Sequence, residues 1–258
     1  MSSPKLDELA VERARRLVDG AERVVVLTGA GISTDSGIPD FRGPNGIWTK
    51  NPAAEKAATL QNYVADGEVR KVAWQHRLES GMWDAEPNVG HHALVHLERR
   101  NKLHTLLTQN VDGLHLRAGT TESKLVEIHG NVREVLCLDC GERAPMQRAL
   151  DRVRAGEDDP ACRSCGGVLK SATISFGQGL VAEDLQRAEA AARACDLMLA
   201  VGSTLAVYPI ADVVPVAKYA GAKVVIVNAD ETAMDSLADA LVQDRIAAVL
   251  PRIVGMGT

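Results

Sequence analysis

Residues 23–43 read RVVVLTGAGISTDSGIPDFRG, and the fold is decided there. Val24, Val25, Val26 and Leu27 form a run apolar on both sides, the pattern of a strand buried on both faces of a parallel sheet. Gly29, Ala30 and Gly31 follow, and glycine permits positive φ and a close backbone approach to a ligand. Ile32, Ser33, Thr34 and Asp35 then open a helix, with Ser33 or Thr34 as its N-cap. A strand, a glycine turn and a helix start leave backbone N–H groups where a pyrophosphate can sit. Thr34 stands where the third glycine of G-x-G-x-x-G would be, so a tight strand–helix turn without ligand is the plain alternative. Residues 36–44, SGIPDFRGP, are rich in turn formers yet carry Phe41 and Arg42, which reads as a lid over a ligand.

Further out, residues 102–110 (KLHTLLTQN), 197–201 (LMLAV) and 223–227 (KVVIV) predict more buried strands. Residues 125–128 predict a short one, 171–177 (SATISFG) a strand rejoining the sheet, and 246–249 an edge strand. Helical periodicity covers 5–19, about 90–100, 182–194 and 210–220. In an open α/β sheet, ligands bind beyond the carboxyl ends of the strands. That singles out Gln109, Asn110, Val111 and Asp112, then His129 before Gly130, then Gly202, Ser203 and Thr204, and last Asn228, Ala229 and Asp230. Histidine is the side chain best suited to accept a proton near neutral pH, so His129 is the candidate base. His91, His92 and His96 have no Cys or carboxylate to complete a metal set and read as part of an amphipathic helix.

The chain has 258 residues, 46% hydrophobic and 24% charged, enough for one large domain or for a large one and a small one. A net charge of -5 with no dense Lys/Arg block argues against nucleic-acid binding. The polar start and the lack of any apolar run near about 20 residues predict a cytoplasmic chain with no membrane span. Of five cysteines, four form two C-x-x-C knuckles, Cys137 with Cys140 and Cys162 with Cys165, while Cys195 reads as a small core residue. Paired knuckles match a tetrathiolate zinc site, closed to water and therefore structural. A redox dithiol would explain one knuckle and not two. The polar segment between them, residues 141–161, is expected to form no core without metal. Residues 46–86 spread Trp48, Tyr63, Trp74 and Trp83 through polar helical sequence, as an inserted module would.

The predicted fold is α/β. A Rossmann-like doubly wound parallel sheet takes residues 1–45, 87–134 and 171–258. A helical module at 46–86 and a zinc-ribbon module at 135–170 make a smaller zinc-binding domain.

In order, GAGIS, GIPDFRG, TQNVDGLH, HGN, the two C-x-x-C knuckles, GST and VNAD resemble the sirtuin family of bacterial type, NAD-dependent protein-lysine deacylases. The resemblance covers nearly the whole chain. It implies that Gly29, Ala30, Gly31, Ile32 and Ser33 cradle the NAD phosphates, and that Asp40, Phe41 and Arg42 form a mobile loop whose Phe41 covers the nicotinamide side. Gln109, Asn110 and Val111 would border the ribose, and Asp112 would bind the nicotinamide amide. Gly202, Ser203 and Thr204 would hold phosphate and ribose, and Asn228, Ala229, Asp230 and Ile246 the adenosine end. Acyl-lysine peptides would lie on Ile174, Ser175, Phe176, Gly177 and Val207. The implied reaction has the acyl oxygen attack the nicotinamide ribose. His129 then deprotonates a ribose hydroxyl, and O-acyl-ADP-ribose is released. Asn110, Asp112 and His129 are thus the implied catalytic set, NAD the co-substrate, and zinc on the four cysteines structural. The resemblance fixes no oligomeric state.

Two places depart from the family's pattern. Ser175-Phe176-Gly177-Gln178 replaces an aromatic pair, a glycine and an acid. Trp74-Gln75-His76-Arg77 stands where desuccinylating and demalonylating members carry Tyr-x-x-Arg. Arg77 could meet an acidic acyl group or be a solvated helix cation. A mono-ADP-ribosyltransferase and a catalytically silent NAD-sensing module are the competing functions.

Overall fold

A computed structural model describes residues 7–40 and 59–257. Among them the chain runs α1 (Glu8–Gly20), β1 (Val24–Thr28), a 3-10 turn (Ala30–Ser36), α2 (Leu60–Ala65), α3 (Gly67–Leu78), α4 (Val89–Arg99), β2 (Leu103–Thr108), α5 (Leu114–Ala118), β3 (Leu125–Glu127) and β4 (Gly130–Cys137). It continues through β5 (Arg143–Pro145), α6 (Met146–Arg154), β6 (Leu169–Thr173), α7 (Ala182–Ala194), β7 (Leu197–Val201), α8 (Val213–Tyr219), β8 (Lys223–Asn228), β9 (Ala240–Gln243) and α9 (Ile246–Ile253).

Six strands form one sheet in the order β3-β2-β1-β7-β8-β9, all parallel. The order reverses between β1 and β7, and in doubly wound sheets the ligand crevice opens at that point. Every residue of β1 is buried, as its unbroken apolar run predicts. Its side chains alternate between faces. Val24 and Val26 pack under α1, α4 and α9, while Val25 and Leu27 pack under α7 and α8.

A second sheet, β5-β4-β6, is antiparallel. Its core joins Val135, Leu169 and the cysteines Cys137 and Cys162 to Met146, Leu150 and Val153 of α6 and to Trp74 of α3. Within the segment 141–161, α6 joins that core beside two of the four knuckle cysteines. Met146, Ala149, Leu150 and Val153 recur at helical spacing and bury one face.

Three expectations give way. Residues 246–249 are the first turn of α9, not a strand. Ile246, Val249, Leu250 and Ile253 are all buried on one helical stripe, and a four-residue apolar run cannot separate the two readings. The edge strand is β9. The strand expected at 171–177 to rejoin the large sheet is β6, Leu169–Thr173, and it pairs antiparallel with β4, because its register partners Gly130–Cys137 lie in the small sheet. The turn after β1 is 3-10, with Gly29 at its N-cap and no side-chain cap, so neither Ser33 nor Thr34 caps it. Phe41, Arg42 and Trp48, with the rest of 41–58, lie outside the described residues.

Candidate active site

The tips of β1 and β7 interlock. Gly29 N–H donates to Val201 O at 3.0 Å and Gly31 N–H to Gly202 O at 2.9 Å. A Cβ on Gly29 would stand 2.6 Å from Gly202 O, and one on Gly202, at φ +66, would stand 2.6 Å from Ile32 N. These glycines are therefore needed to bring two strand tips together, before any ligand is considered.

The β2 tip crosses to both. Gln109 Nε2 donates to Ser203 Oγ at 2.9 Å. Asn110 Nδ2 donates to Gly29 O and to Ser33 Oγ, each at 3.1 Å. Both amide protons are taken, so Asn110 has its carbonyl oxygen left to offer. Asp112, just behind, accepts from Ser33 Oγ at 2.7 Å and from Leu114 N at 2.9 Å. Burial raises the Asp112 carboxyl pKa, and those two donors with Arg133 oppose the rise.

His129 occupies the short link between β3 and β4. Its Nδ1 lies 2.9 Å from Gln109 O. A carbonyl only accepts, so Nδ1 carries the proton and Nε2 of the neutral ring is bare. Burial lowers the His129 pKa, partly offset by the Gln109 carbonyl. The ring is therefore held as a free base near neutral pH.

These tips converge on one cleft of about 1960 Å³. Its wall includes Gly29, Ala30, Gly31, Asp40, Gln109, Asn110, Val111, His129, Gly202, Ser203, Thr204, Asn228, Ala229, Asp230 and Ile246. The opposite wall is Ile174, Ser175, Phe176, Gly177 and Val207. Ile32, Ser33 and Asp112 do not line it. Ile32 is buried in the core with α9, and Ser33 and Asp112 sit beneath the surface. The volume exceeds the several hundred Å³ of a usual small-molecule site and leaves room for a dinucleotide and a side chain together.

The sequence reading missed several groups. Lys170 is buried at the cleft wall, with Nζ donating to the carbonyls of Ser171 and Thr173. Burial, then Arg77, lowers its pKa to about 8. Arg245 and Asp35 form an exposed ion pair of 3.3 Å at the cleft. Arg77 is not a solvated cation. Its Nη2 donates to Ser171 Oγ at 3.3 Å, and its guanidinium lies 5.0 Å from the Trp74 ring centroid and 5.5 Å from that of Tyr63. Its Nη1 is buried without a hydrogen-bond partner among the described residues.

Apart from the cleft, ligand atoms of Cys137, Cys140, Cys162 and Cys165 lie within 4.8 Å of one another. Cys137 Sγ is 3.5 Å from Cys165 Sγ and Cys140 Sγ is 3.7 Å from Cys162 Sγ. These gaps are far longer than a disulfide of about 2.0 Å. They approach the ~3.8 Å edge of a tetrahedron with Zn–S of about 2.3 Å. The four thiols fit zinc with no position left for substrate.

A family model described as the Sir2 family matches residues 29–209. NAD-dependent protein deacetylase 2 of Streptomyces coelicolor is 48% identical over 92% of this chain and 99% of its own length. A solved Sir2 bound to a p53 peptide and NAD+ matches with a TM-score of 0.83 at 31% identity, over 93% of this chain and 95% of that one. A Sir2Tm structure bound to a propionylated peptide matches with a TM-score of 0.84 at 29% identity, over 96% and 99%.

Proposed function

The chain belongs to the Sir2 family, and we propose that it is an NAD-dependent protein-lysine deacylase which moves the acyl group of an acyl-lysine to ADP-ribose and releases nicotinamide. The observation that carries this reading is the meeting of four strand tips, at Gly31, Asn110, His129 and Ser203, on one cleft. NAD, when bound, supplies a ribose carbon with a departing nicotinamide. This chain's residues do the rest. Gly29, Ala30, Gly31, Gly202, Ser203 and Thr204 border the phosphates, and Asn228, Ala229, Asp230 and Ile246 the adenosine. Asn110 presents its free carbonyl oxygen to the ribose side. Asp112 receives the nicotinamide carboxamide from beneath. His129 takes a hydroxyl proton on its bare Nε2, and burial keeps that nitrogen unprotonated when it is needed. Phe41 and Arg42, outside the described residues, belong to this proposal as cofactor-contacting residues.

The peptide lies along residues 174–177. Leu60 N–H already holds the Phe176 carbonyl at 3.1 Å, so α2 helps form the entrance. The four thiols hold a structural zinc. In this proposal the NAD-binding domain takes residues 1–45, 87–129 and 174–258 and the smaller one 46–86 and 130–173, the bounds expected at 134 and 171 moving because β4 and β6 belong whole to the small sheet. We place the chain in the cytoplasm. Five cysteines held as thiols, four of them in a zinc-type cluster, support this.

The test is turnover of an acetyl-lysine peptide with labelled NAD. Free O-acetyl-ADP-ribose, lost in His129→Ala while NAD still binds, supports the reading. Label retained on protein would assign ADP-ribosyl transfer instead. A second acyl preference, for acidic acyl groups, is favoured by the unpartnered Arg77 Nη1 at a cleft wall that also holds Lys170. A succinyl peptide outperforming its acetyl counterpart, and losing that lead in Arg77→Met, would establish it.

A further inference from the structure

Behind the cleft, between α4 and the 3-10 turn, lies a buried polar cluster. His91, fully buried in the first turn of α4, has Nδ1 3.3 Å from the Asn88 backbone nitrogen. A backbone amide can only donate, so Nδ1 is bare and the neutral ring carries its proton on Nε2. That nitrogen faces Ser33 Oγ at 3.5 Å, a long contact that orients more than it binds. Ser33 Oγ also receives an Asn110 Nδ2 proton at 3.1 Å. Two donors thus point at one hydroxyl oxygen. The hydroxyl's own proton is left with a single acceptor, Asp112 Oδ2, at 2.7 Å. His115 packs on the ring with centroids 4.9 Å apart.

We propose that His91 is a positioning residue for Asp112: donating from Nε2, it makes Ser33 donate to Asp112 and so keeps that carboxylate an acceptor for the nicotinamide carboxamide. The inference rests on the deacylase reading given above. With its proton on Nδ1 instead, His91 would draw the Ser33 hydroxyl to itself, and Asp112 Oδ2 would face lone pairs. Asp112 needs the donor, because burial already pushes its carboxyl up. Arg133 of β4 and Glu127 of β3 also face Asp112, the first favouring its charge and the second opposing it. His92 of α4 and His115 of α5 face His91. Burial first, then His92, sets His91 at about 4, and burial puts His115 well below the usual range. Both rings therefore stay neutral while the enzyme works.

The test is exchange of labelled nicotinamide into NAD with an acetyl-lysine peptide, followed over a range of about pH 5 to 8. Gln at position 91 can accept from Asn88 and donate to Ser33, whereas Leu can do neither. His91→Leu should raise the KM for nicotinamide about tenfold and that for NAD less than about twofold, and move the acid limb of exchange to higher pH. His91→Gln should return all three to within about threefold of wild type. If the Leu variant does not fold, His91→Met, which offers Ser33 no donor, takes its place, alone and combined with Ser33→Ala, and the second change should add nothing to the first. Equal rises in both KM values, an unmoved acid limb or additive effects would overturn the proposal. A wild-type enzyme that exchanges no nicotinamide defeats the deacylase reading and this inference together. An active wild type with unresponsive variants defeats the inference alone.

Discussion

β7 and β4 stand for two ways of holding a strand. All five residues of β7 are buried, while of the eight in β4 only Val135 and Cys137 are. β7 lies between neighbours on both edges and helices on both faces, so apolar burial suffices to fix it. β4 belongs to a sheet whose core, among the described residues, counts nine buried side chains, two of them zinc-site cysteines, so part of its cohesion is assigned to metal. The six-stranded sheet should therefore behave as an ordinary hydrophobic body, and the small sheet as a metal-dependent one.

Removing zinc gives the largest expected difference. A structural site of this type contributes about 10 kcal/mol or more to folding. Chelation, or Cys140→Ala, should make residues 135–170 protease-sensitive and abolish deacylation, with most helical signal retained. A small sheet that resists protease without metal would erase the contrast. Next comes Leu27→Ala in the six-stranded sheet, where the side chain is fully buried. It should cost about 4 kcal/mol in denaturant unfolding and leave zinc retention unchanged.

Acid should also act unevenly. The His91 pKa is held at about 4, below the ordinary 6.5. A depressed histidine contributes stability that is present above the unfolded pKa and is lost as pH falls from there through the folded value. Acidification over that window should cost the six-stranded body about 3 kcal/mol from His91 alone. His91→Gln should flatten the curve by that amount, read by thermal melts in matched buffers. The smallest effect separates two ion pairs. Arg70 Nε contacts both Asp159 oxygens, at 3.1 and 2.9 Å, and ties α3 to the zinc segment. Asp159→Ala should cost about 1 kcal/mol, against less than about 0.5 kcal/mol for Glu189→Ala in the exposed Arg193 pair.

The parallel sheet was legible because a strand buried on both faces writes itself as an unbroken apolar run. The cleft residues were legible because a polar group ending such a run has few other reasons to be there. Residues 246–249 misled because four apolar residues fit a strand or a helix, and only burial four and seven residues on from Ile246, at Leu250 and Ile253, separates them. Lys170 gave no signal, since the carbonyls that receive its ammonium belong to its own strand, at Ser171 and Thr173, and nothing in the local sequence marks them as turned toward it. The direction of the hydrogen bonds around Ser33 was equally hidden, being set by Asn88, Asn110 and His91, which meet only in three dimensions.

His129 and Gly130 are the joint through which the chain passes from one sheet to the other. Gly130, at φ +75, packs so close to the Ala172 carbonyl that no side chain fits there. Rocking of the small sheet against the large one would load this joint from both sides, since the His129 ring is held by the Gln109 carbonyl while its own carbonyl accepts from Ile174, just past β6. Chimeras that swap the zinc-bearing module between relatives should thus inherit a changed rate constant along with a changed peptide preference, because the pivot of the graft and the proposed proton acceptor are neighbours on the same short stretch of backbone.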